Sequence, residues 1–463
     1  TGMAGRDKAK SKNREPRKKG KVLDIAINGI IDNITFSKKD VYAYYKISTM
    51  SFDFLDIQQR ISTALMTGRA LSSLALNSDQ ELEIQIIATH VPIDIDAWRA
   101  QIEVESEGWE TSPELSNYLD AQDAFLEREA FTKKTTYIGV KIANRGALDI
   151  PNVFEAGLVE AKNYIYDLID KIASPPGSKI SEEEERAMRR REQDFFRVIS
   201  TGDFKAERAT TEEILLMVKR PLYPGMPSPY LLVSDKTRVG PGDIAREVGS
   251  HIEKKWNHLK FTQMFEDIEL EGYRASLVFE KFPDTFNFPG MPPFLYYSSM
   301  LREPFTCYGR FILVPSSKMR REVEKKRKEH KDEMKNIEAG QDRYDAQITG
   351  IPSDAYKSLS DINILSDILA SDASPWIEGK FRIAVEASTL EDLNKKCASI
   401  ISSYERHQVK LRRTGADQVD ALLEQMPGDR MRDKDFVQHA NLAFMATSGF
   451  NFNSEVGDEI DVA

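Results

Sequence analysis

The chain has 463 residues, of which 41% are hydrophobic and 30% charged, and its net charge is −10. This length allows two or three domains with a real apolar core, and the acidic balance argues against nucleic-acid binding by the body as a whole. Cys307 and Cys397 are the only cysteines and are far apart, which argues against a disulfide framework and suits a reducing cytosolic compartment. No apolar run has the length that crossing a bilayer requires, and no signal peptide opens the chain. We therefore expect any membrane contact to be peripheral.

Residues 1–21 are strongly basic, with nine basic residues against two acidic ones, so the remainder of the chain carries −17. The segment has almost no apolar residues, which predicts a disordered tail. Two interpretations stay open: a solubilising terminus, or an electrostatic contact for anionic lipid or for nucleic acid. The candidate contact residues of the second interpretation are Lys8, Lys10, Lys12, Arg14, Arg17, Lys18, Lys19 and Lys21.

Residues 22–174 have the pattern of a first α+β subdomain. Alternating and β-branched stretches predict strands over 41–47, 82–86 and 135–143. Helical spacing of apolar residues predicts helices over 54–76, 94–104, 113–131 and 151–173. Ser51 and Asp53 are the candidate caps of the first helix. The order strand–helix–strand, then strand–helix, is typical of a ferredoxin-like α+β sandwich.

Residues 175–300 form a middle region that we predict to be helical and irregular. A Pro- and Gly-rich break at 174–178 precedes a helix over 181–200, where Ser181 and Glu184 have the spacing of a capping box. The stretch Gly240-Pro241-Gly242-Asp243 lacks the lysine of a phosphate-binding loop, and we interpret it as a turn before a helix over 243–259.

Residues 301–445 repeat the rhythm of the first subdomain and predict a second one. Strands are expected over 305–314, 380–387 and 409–411, and helices over 316–346, 358–370 and 389–404. The helix over 316–346 is so rich in Lys, Arg and Glu that it must be solvated. Three options stay open: its thin apolar stripe packs on the body, the stripe packs on a partner helix, or the helix is a long exposed arm.

The sequence presents no catalytic, cofactor-binding or metal-binding constellation. It contains no Gly-x-x-x-x-Gly-Lys-Ser/Thr loop, nucleophile elbow or kinase signature. His251 and His258 fall on one face of the helix expected over 243–259. They are two turns apart there, so they cannot share one metal ion alone. We interpret them as surface or packing residues.

Two segments near the end of the chain carry a family resemblance. Residues 422–429, here called the motif segment, have the sequence LLEQMPGD. This resembles the Glu-Gln-hydrophobic-Pro-Gly segment of the conjugation and type IV secretion ATPases, the family of TraC, TrbE and CagE. Residues 446–458, here called the lead-in segment, have the sequence ATSGFNFNSEVGD. They are similar to that family's approach to its ATPase domain, in the form found in Gram-positive conjugative elements. Residues 294–301 and 305–314 fit the general pattern of the family.

The resemblance implies an amino-terminal domain that docks a motor at the inner face of the cytoplasmic membrane. Residues 446–463 would lead into an ATPase domain absent from this chain, so the family's catalytic residues map onto no position here. The implied partners are membrane subunits of the secretion channel, other copies of the chain and a coupling ATPase. ATP and Mg²⁺ are implied for the parent protein alone, which would energise channel assembly and DNA transfer.

A function from a different class stays open beside this one. This alternative is a complete structural protein, such as a scaffold of a secretion or phage particle without enzymatic activity. The two expectations differ in what the gene encodes after residue 463.

Overall fold

The computed structural model describes fourteen stretches of the chain and three single positions. These are residues 25–37, 40–47, 50–76, 81–92, 132–144, 182–201, 206–225, 238–240, 251–265, 268–283, 288–290, 292–297, 305–344 and 374–453, with positions 244, 363 and 366. Helices and strands both contribute heavily, so the predicted α+β class is confirmed.

The strands and helices are named here in chain order. The strands are β1 (Ile27–Ile31), β2 (Ile34–Ser37), β3 (Asp40–Ile47), β4 (Met50–Ser51), β5 (Leu82–Pro92), β6 (Thr132–Asn144), β7 (Glu207–Arg208), β8 (Arg238–Val239), β9 (His251–Lys254), β10 (Leu259–Phe265), β11 (Ile268–Lys281), β12 (Thr306–Val314), β13 (Trp376–Ala387), β14 (Lys410–Arg413), β15 (Gln438–Asn441) and β16 (Phe452–Asn453). The α-helices are α1 (Ile57–Leu76), α2 (Glu182–Thr201), α3 (Thr211–Lys219), α4 (Ser316–Tyr344), α5 (Leu390–Glu405), α6 (Gln418–Gln425) and α7 (Leu442–Ala446). Two 3₁₀ turns, Phe52–Phe54 and Arg220–Leu222, complete the described elements.

Fourteen of these strands form one sheet in which every pairing is antiparallel. Its main path runs β8-β1-β2-β3-β6-β5-β12-β13-β11-β10-β9. Strands β7, β14 and β15 join the sheet beside β3, β11 and β13. The remaining two strands, β4 and β16, pair with each other in parallel.

Two regions of the sheet share one strand order. The first region contains β3, β5, β6 and β7, which lie side by side in the order β7-β3-β6-β5. The second region contains β11, β12, β13 and β14, which lie in the order β14-β11-β13-β12. When the four strands of a region are numbered along the chain, both regions have the spatial order 4-1-3-2. The regions meet where β5 pairs with β12, and this pairing sets Gln85 opposite Arg310. We call this pairing the seam.

The sheet is buried on both faces, and the side chains of β3 alternate between the two apolar cores that cover these faces. Val41, Ala43 and Tyr45 belong to an apolar core shared with α1, α2, α5 and α7. Tyr42 and Tyr44 point to the opposite face, where the core includes residues of α3 and α6. Successive side chains of a strand alternate between faces, so a strand as apolar as β3 serves both layers.

Most of the predicted elements inside the described residues are present. Strands occur where they were expected over 41–47, 82–86, 135–143, 305–314, 380–387 and 409–411. Helices α2, α4 and α5 match the predictions over 181–200, 316–346 and 389–404. The helices predicted over 94–104, 113–131 and 151–173 lie outside the described residues, as does nearly all of the one predicted over 358–370.

The prediction of a helix over 243–259 was wrong for the second half of this range. Residues 251–254 form β9, and Leu259 begins β10, which pairs on its other side with β11. His251 and His258 therefore do not share a helix face. Leu259 and Phe261 alternate with Lys260 and are buried against the sheet. This period-two pattern, with an antiparallel partner on each side, favours the strand.

The start of α1 also differs from the prediction. Neither Ser51 nor Asp53 caps it, because Phe52 is buried in a 3₁₀ turn that precedes the helix. The cap is formed by Asp56, whose carboxylate accepts from the backbone N–H of Gln59 at 2.8 Å. The side chain of Gln59 accepts in return from the backbone N–H of Asp56 at 2.9 Å. This reciprocal pair has the pattern of a capping box.

Candidate functional site

The motif segment lies across the seam. Helix α6 supplies its first half, and Met426 to Asp429 follow as a turn. Leu422 and Met426 are fully buried against the face that also holds Tyr42, Tyr44 and Tyr308. The residues that carry the family resemblance are thus in the interior, and they contact both regions of the sheet.

Side chains from both sides of the seam bind the carbonyl groups at the end of α6. Gln85 of β5 donates through Nε2 to the carbonyls of Glu424, Gln425 and Met426, at 3.2, 2.9 and 3.3 Å. Arg310 of β12 donates to the carbonyls of Glu424 at 2.7 Å and Met426 at 2.8 Å. The last carbonyls of a helix have no partner within it, and a cation at that end is favourable. The seam therefore caps α6.

Gly428 provides the next contact of the turn. Its φ is 73°, a left-handed conformation that favours glycine. Its N–H donates to the hydroxyl of Tyr44 at 2.6 Å, and that hydroxyl donates to Oε1 of Gln85 at 2.5 Å. Burial raises the pKa of Tyr44, so the hydroxyl stays protonated and keeps its donor role. A chain of hydrogen bonds thus joins Gly428, Tyr44 and Gln85.

The side chains of Glu424 and Gln425 bind cations on β11 and β13. Oε2 of Glu424 accepts from Nε of Arg382 at 3.1 Å. Its Oε1 lies 3.5 Å from the ammonium of Lys380 and accepts from the backbone N–H groups of Arg432 and Asp433 at 2.9 and 3.0 Å. Gln425 accepts from the guanidinium of Arg274. Every polar atom of the Glu424 carboxylate therefore has a partner.

Further carboxylates balance the buried cations. Asp433 lies 3.0 Å from the Lys380 ammonium and 3.1 Å from the Arg382 guanidinium, and Asp417 lies 2.9 Å from Arg382. Burial opposes ionisation of Asp433, but the N–H of Asp435 and the Lys380 and Arg382 charges lower its pKa below the ordinary value. Asp433 is therefore ionised at neutral pH and contributes a full charge to the cluster.

The cluster as a whole holds four cations that are almost completely buried. Arg274, Arg310, Lys380 and Arg382 are each exposed by 2% or less. Arg310 and Arg274 also have Glu83 and Glu386 at 3.6 Å. Burying a charge away from water costs free energy unless the charge is paired. The loss of any one member of the cluster would therefore take a partner away from a buried charge. The effect of the cluster is to fix α6 and the turn after it against both regions of the sheet.

The described residues of the lead-in segment are also packed into the body. The carbonyl of Phe450 accepts from Thr136 of β6 at 3.1 Å, and Asn451 donates to Thr67 of α1 at 3.1 Å. Phe452 contacts Phe52 with ring centres 5.3 Å apart. Residues 446–453 are thus integral to the fold, while 454–463 lie outside the described residues.

Beside this segment, α1 and the 3₁₀ turn before it expose four large apolar side chains. Phe54, Ile57, Leu65 and Met66 are exposed by 69, 57, 58 and 36%. The side of the helix that includes Leu71 packs against the sheet. Only two of its 20 residues are charged, whereas the chain average is 30%. Exposed large apolar side chains are favoured at contact sites for other molecules. We call this surface the α1 apolar surface.

The residues singled out from the sequence lie in different places. The eight basic residues of the tail fall outside the described residues. His251 and His258 lie in the β9–β10 hairpin, and burial lowers the pKa of His258. Cys307 and Cys397 are buried and are not joined in a disulfide, and burial raises the pKa of Cys397 to about 11. Among the described residues, no group of His, Cys, Asp or Glu side chains has the arrangement of a metal site.

Sequence reasoning missed the partners of the motif segment. Lys380 and Arg382 stand at alternate positions of β13, between apolar residues such as Phe381 and Ile383. Cations two positions apart inside an apolar strand share one face, and on a buried face they demand carboxylates. That pattern was a usable signal for buried ion pairs.

None of the helices in the described stretches of the chain combines the length and apolar character that crossing a bilayer demands. Comparison with protein-family models and with curated proteins finds no match for this chain.

Proposed function

We propose that this chain is the amino-terminal assembly and docking domain of a conjugative type IV secretion ATPase. In this proposal the parent protein binds ATP and Mg²⁺ through a motor domain that follows residue 463. It acts at the cytoplasmic face of the inner membrane, where it energises channel assembly and DNA transfer. The described residues serve docking, and catalysis belongs to the motor.

The observation that carries the docking role is the α1 apolar surface. The charge-poor helix α1 exposes three large apolar side chains, and Phe54 is exposed in the turn before it. Such side chains are suited to burial against another protein. The surface adjoins Phe52 and Phe452, where the described lead-in segment ends. A subunit bound there would lie close to the start of the proposed motor. The proposed occupants are membrane subunits of the channel or another copy of the chain.

We further infer that the two regions of the sheet are ferredoxin-like units with added helices. The antiparallel order 4-1-3-2 supports this inference. Helix α1 lies between the first two strands of the first region, and helix α5 lies between the last two strands of the second region, which also supports it. In this view the motif segment is the internal brace that holds the two units at a fixed angle, and the basic tail is an additional contact for anionic lipid or DNA.

Replacing two exposed apolar side chains tests the docking role. We expect Ile57→Ser with Leu65→Ser to weaken co-purification with the channel's co-expressed membrane subunits at least tenfold. Each buried aliphatic side chain contributes about 1.5–3 kcal/mol, and about 1.4 kcal/mol corresponds to a factor of ten. Gln58→Ser with Arg69→Ser is the matched control, because both side chains are exposed polar groups on the same helix. Equal recovery of the partner by both variants contradicts the docking role.

The gene sequence tests the motor. We expect the reading frame to continue past residue 463 and to encode a Gly-x-x-x-x-Gly-Lys-Ser/Thr loop, followed by an acidic Walker B strand. Sequencing the gene downstream of this codon is sufficient. A stop codon at this point would remove the ATPase and favour the alternative, a stand-alone structural scaffold of a secretion or phage particle.

A further inference from the structure

Helix α4 is held against the body along one side only. Met319 and Val323 are buried in a small apolar cluster with Val314 and Trp376. They are four residues apart, so they lie on one side of the helix. This answers the question that the sequence left open about the apolar stripe: its first half packs on the chain's own sheet. Among the described side chains of α4, those on the opposite side are exposed.

The solvent side of α4 is strongly basic. Residues 318–331 contain eight basic residues and three acidic ones, a net charge of +5. With 3.6 residues per turn, a row of exposed cations falls opposite Met319 and Val323. We call this row the basic ridge, and it consists of Arg321, Lys325, Lys328, Lys331 and Lys335.

The acidic residues nearby leave most of the basic ridge unpaired. Glu322 lies 4.0 Å from Lys318, and Glu324 lies 3.4 Å from Arg327, neither of which belongs to the ridge. Glu329 lies 3.8 Å from Lys325, an exposed i,i+4 pair of small energy. Within the described residues, Arg321, Lys328, Lys331 and Lys335 form no ion pair. Asp332 is the other acidic residue on this side.

We propose that the basic ridge binds the phosphate backbone of a nucleic acid without base preference. The distance from Arg321 to Lys335 along the helix is about 21 Å, which spans about six base pairs measured along the axis of a duplex. No aromatic residue lies on the ridge to stack on bases. The contact is therefore electrostatic and depends strongly on salt.

A membrane surface fits the same charges less well. Helices that lie on bilayers bury an apolar face in the headgroup region, but Met319 and Val323 of α4 are buried against the body. A bilayer is also broad and flat, so it would meet the rest of a body that carries −17 outside the tail. A linear polyanion follows a narrow ridge and avoids that repulsion. The contact follows from the charge of α4 and stands whether or not the parent protein is a secretion ATPase.

The test is a salt titration of binding with the full chain. The probe is a labelled mixed-sequence oligonucleotide, used single-stranded and as a duplex. The ridge variant changes Arg321, Lys325, Lys328, Lys331 and Lys335 to Gln. The control variant removes the same number of charges at scattered exposed lysines by changing Lys254, Lys255, Lys395, Lys410 and Lys434 to Gln. Both variants keep residues 1–21, so the basic tail contributes equally.

We expect the ridge variant to bind either probe at least tenfold more weakly than the control variant at about 50 mM salt. The slope of log K against log salt should fall in magnitude by about 2 to 4, since each lost phosphate contact removes up to about 0.9. Equal affinity and equal slope for the two variants would overturn the proposal. So would a selective loss of binding to phosphatidylglycerol vesicles with oligonucleotide binding unchanged, because that result assigns the ridge to a lipid surface.

Discussion

Glu424→Gln should destabilise the protein by about 3–5 kcal/mol, the usual cost of breaking a buried ion pair by changing one partner. The amide keeps the size of the carboxylate but removes its charge from Lys380 and Arg382, which are each exposed by 2% or less. It also replaces one carboxylate oxygen with an N–H donor, at the position that accepts either from Arg382 or from the N–H groups of Arg432 and Asp433. The measurement is the urea midpoint of unfolding, followed by the fluorescence of Trp376, which lies on the same strand as both cations.

The matched control is Glu391→Gln, which makes the same chemical change in an exposed pair. Glu391 is exposed by 80% and lies 2.8 Å from Lys395. Such surface pairs contribute about 0.2–1 kcal/mol, so the control should differ little from the original protein. A Glu424→Gln midpoint as high as that of the control would mean that the buried cluster does not need this charge.

Arg310→Met should also cost about 3–5 kcal/mol, because the change leaves polar groups buried without partners. The carbonyls of Glu424 and Met426 each lose a charged donor, and Glu83 loses its buried cation. Methionine fills a similar space, so the loss reports polar contacts and little cavity formation. The same urea midpoint measures it, and Arg430→Met is the control because its side chain is exposed.

A second variant shows whether the seam acts as one unit. Gln85 donates to the same two carbonyls as Arg310, from the facing position on β5. The combination of Arg310→Met with Gln85→Leu should therefore depart from additivity by more than about 0.5 kcal/mol, the limit usual for independent sites. Additive losses would indicate that the two side chains stabilise α6 separately and that the seam has no joint role.

These expectations give the motif segment a structural role. Its glutamate, its glutamine and the N–H of its glycine are all bound by groups of the sheet. The contacts come from β3, β5, β11, β12 and β13 together. Anything that displaced α6 would expose four buried cations at once, so we expect α6 to stay docked under all conditions in which the sheet is folded.

The motif segment differs from the α1 apolar surface and the basic ridge in its exposure to solvent. The motif segment has no exposed reactive group, whereas the side chains of the α1 apolar surface and of the basic ridge on α4 are exposed to solvent. The first suits a protein and the second a polyanion. Changes to either surface should alter binding with little effect on the urea midpoint, which distinguishes them from the changes at Glu424 and Arg310.

The sequence by itself determined the local elements. Aromatic and β-branched residues identified β3, alternation identified β5, and helical spacing identified α1, because these patterns depend on residues a few positions apart. The local pattern of residues 251–259 is ambiguous, and the prediction of a helix there was wrong. The segment instead contains β9 and the start of β10, which pairs with β11.

Only the tertiary structure decided what the motif segment does. Gln85 and Gln425 are separated by 340 positions in the chain, and no local pattern connects them. Their contact exists because β5 pairs with β12 in one register, which sets Gln85 and Arg310 side by side under α6. The sequence located a segment with a family resemblance and the charged residues of α4. The tertiary structure shows that the motif segment is buried against both regions of the sheet and that the charged residues of the basic ridge are exposed.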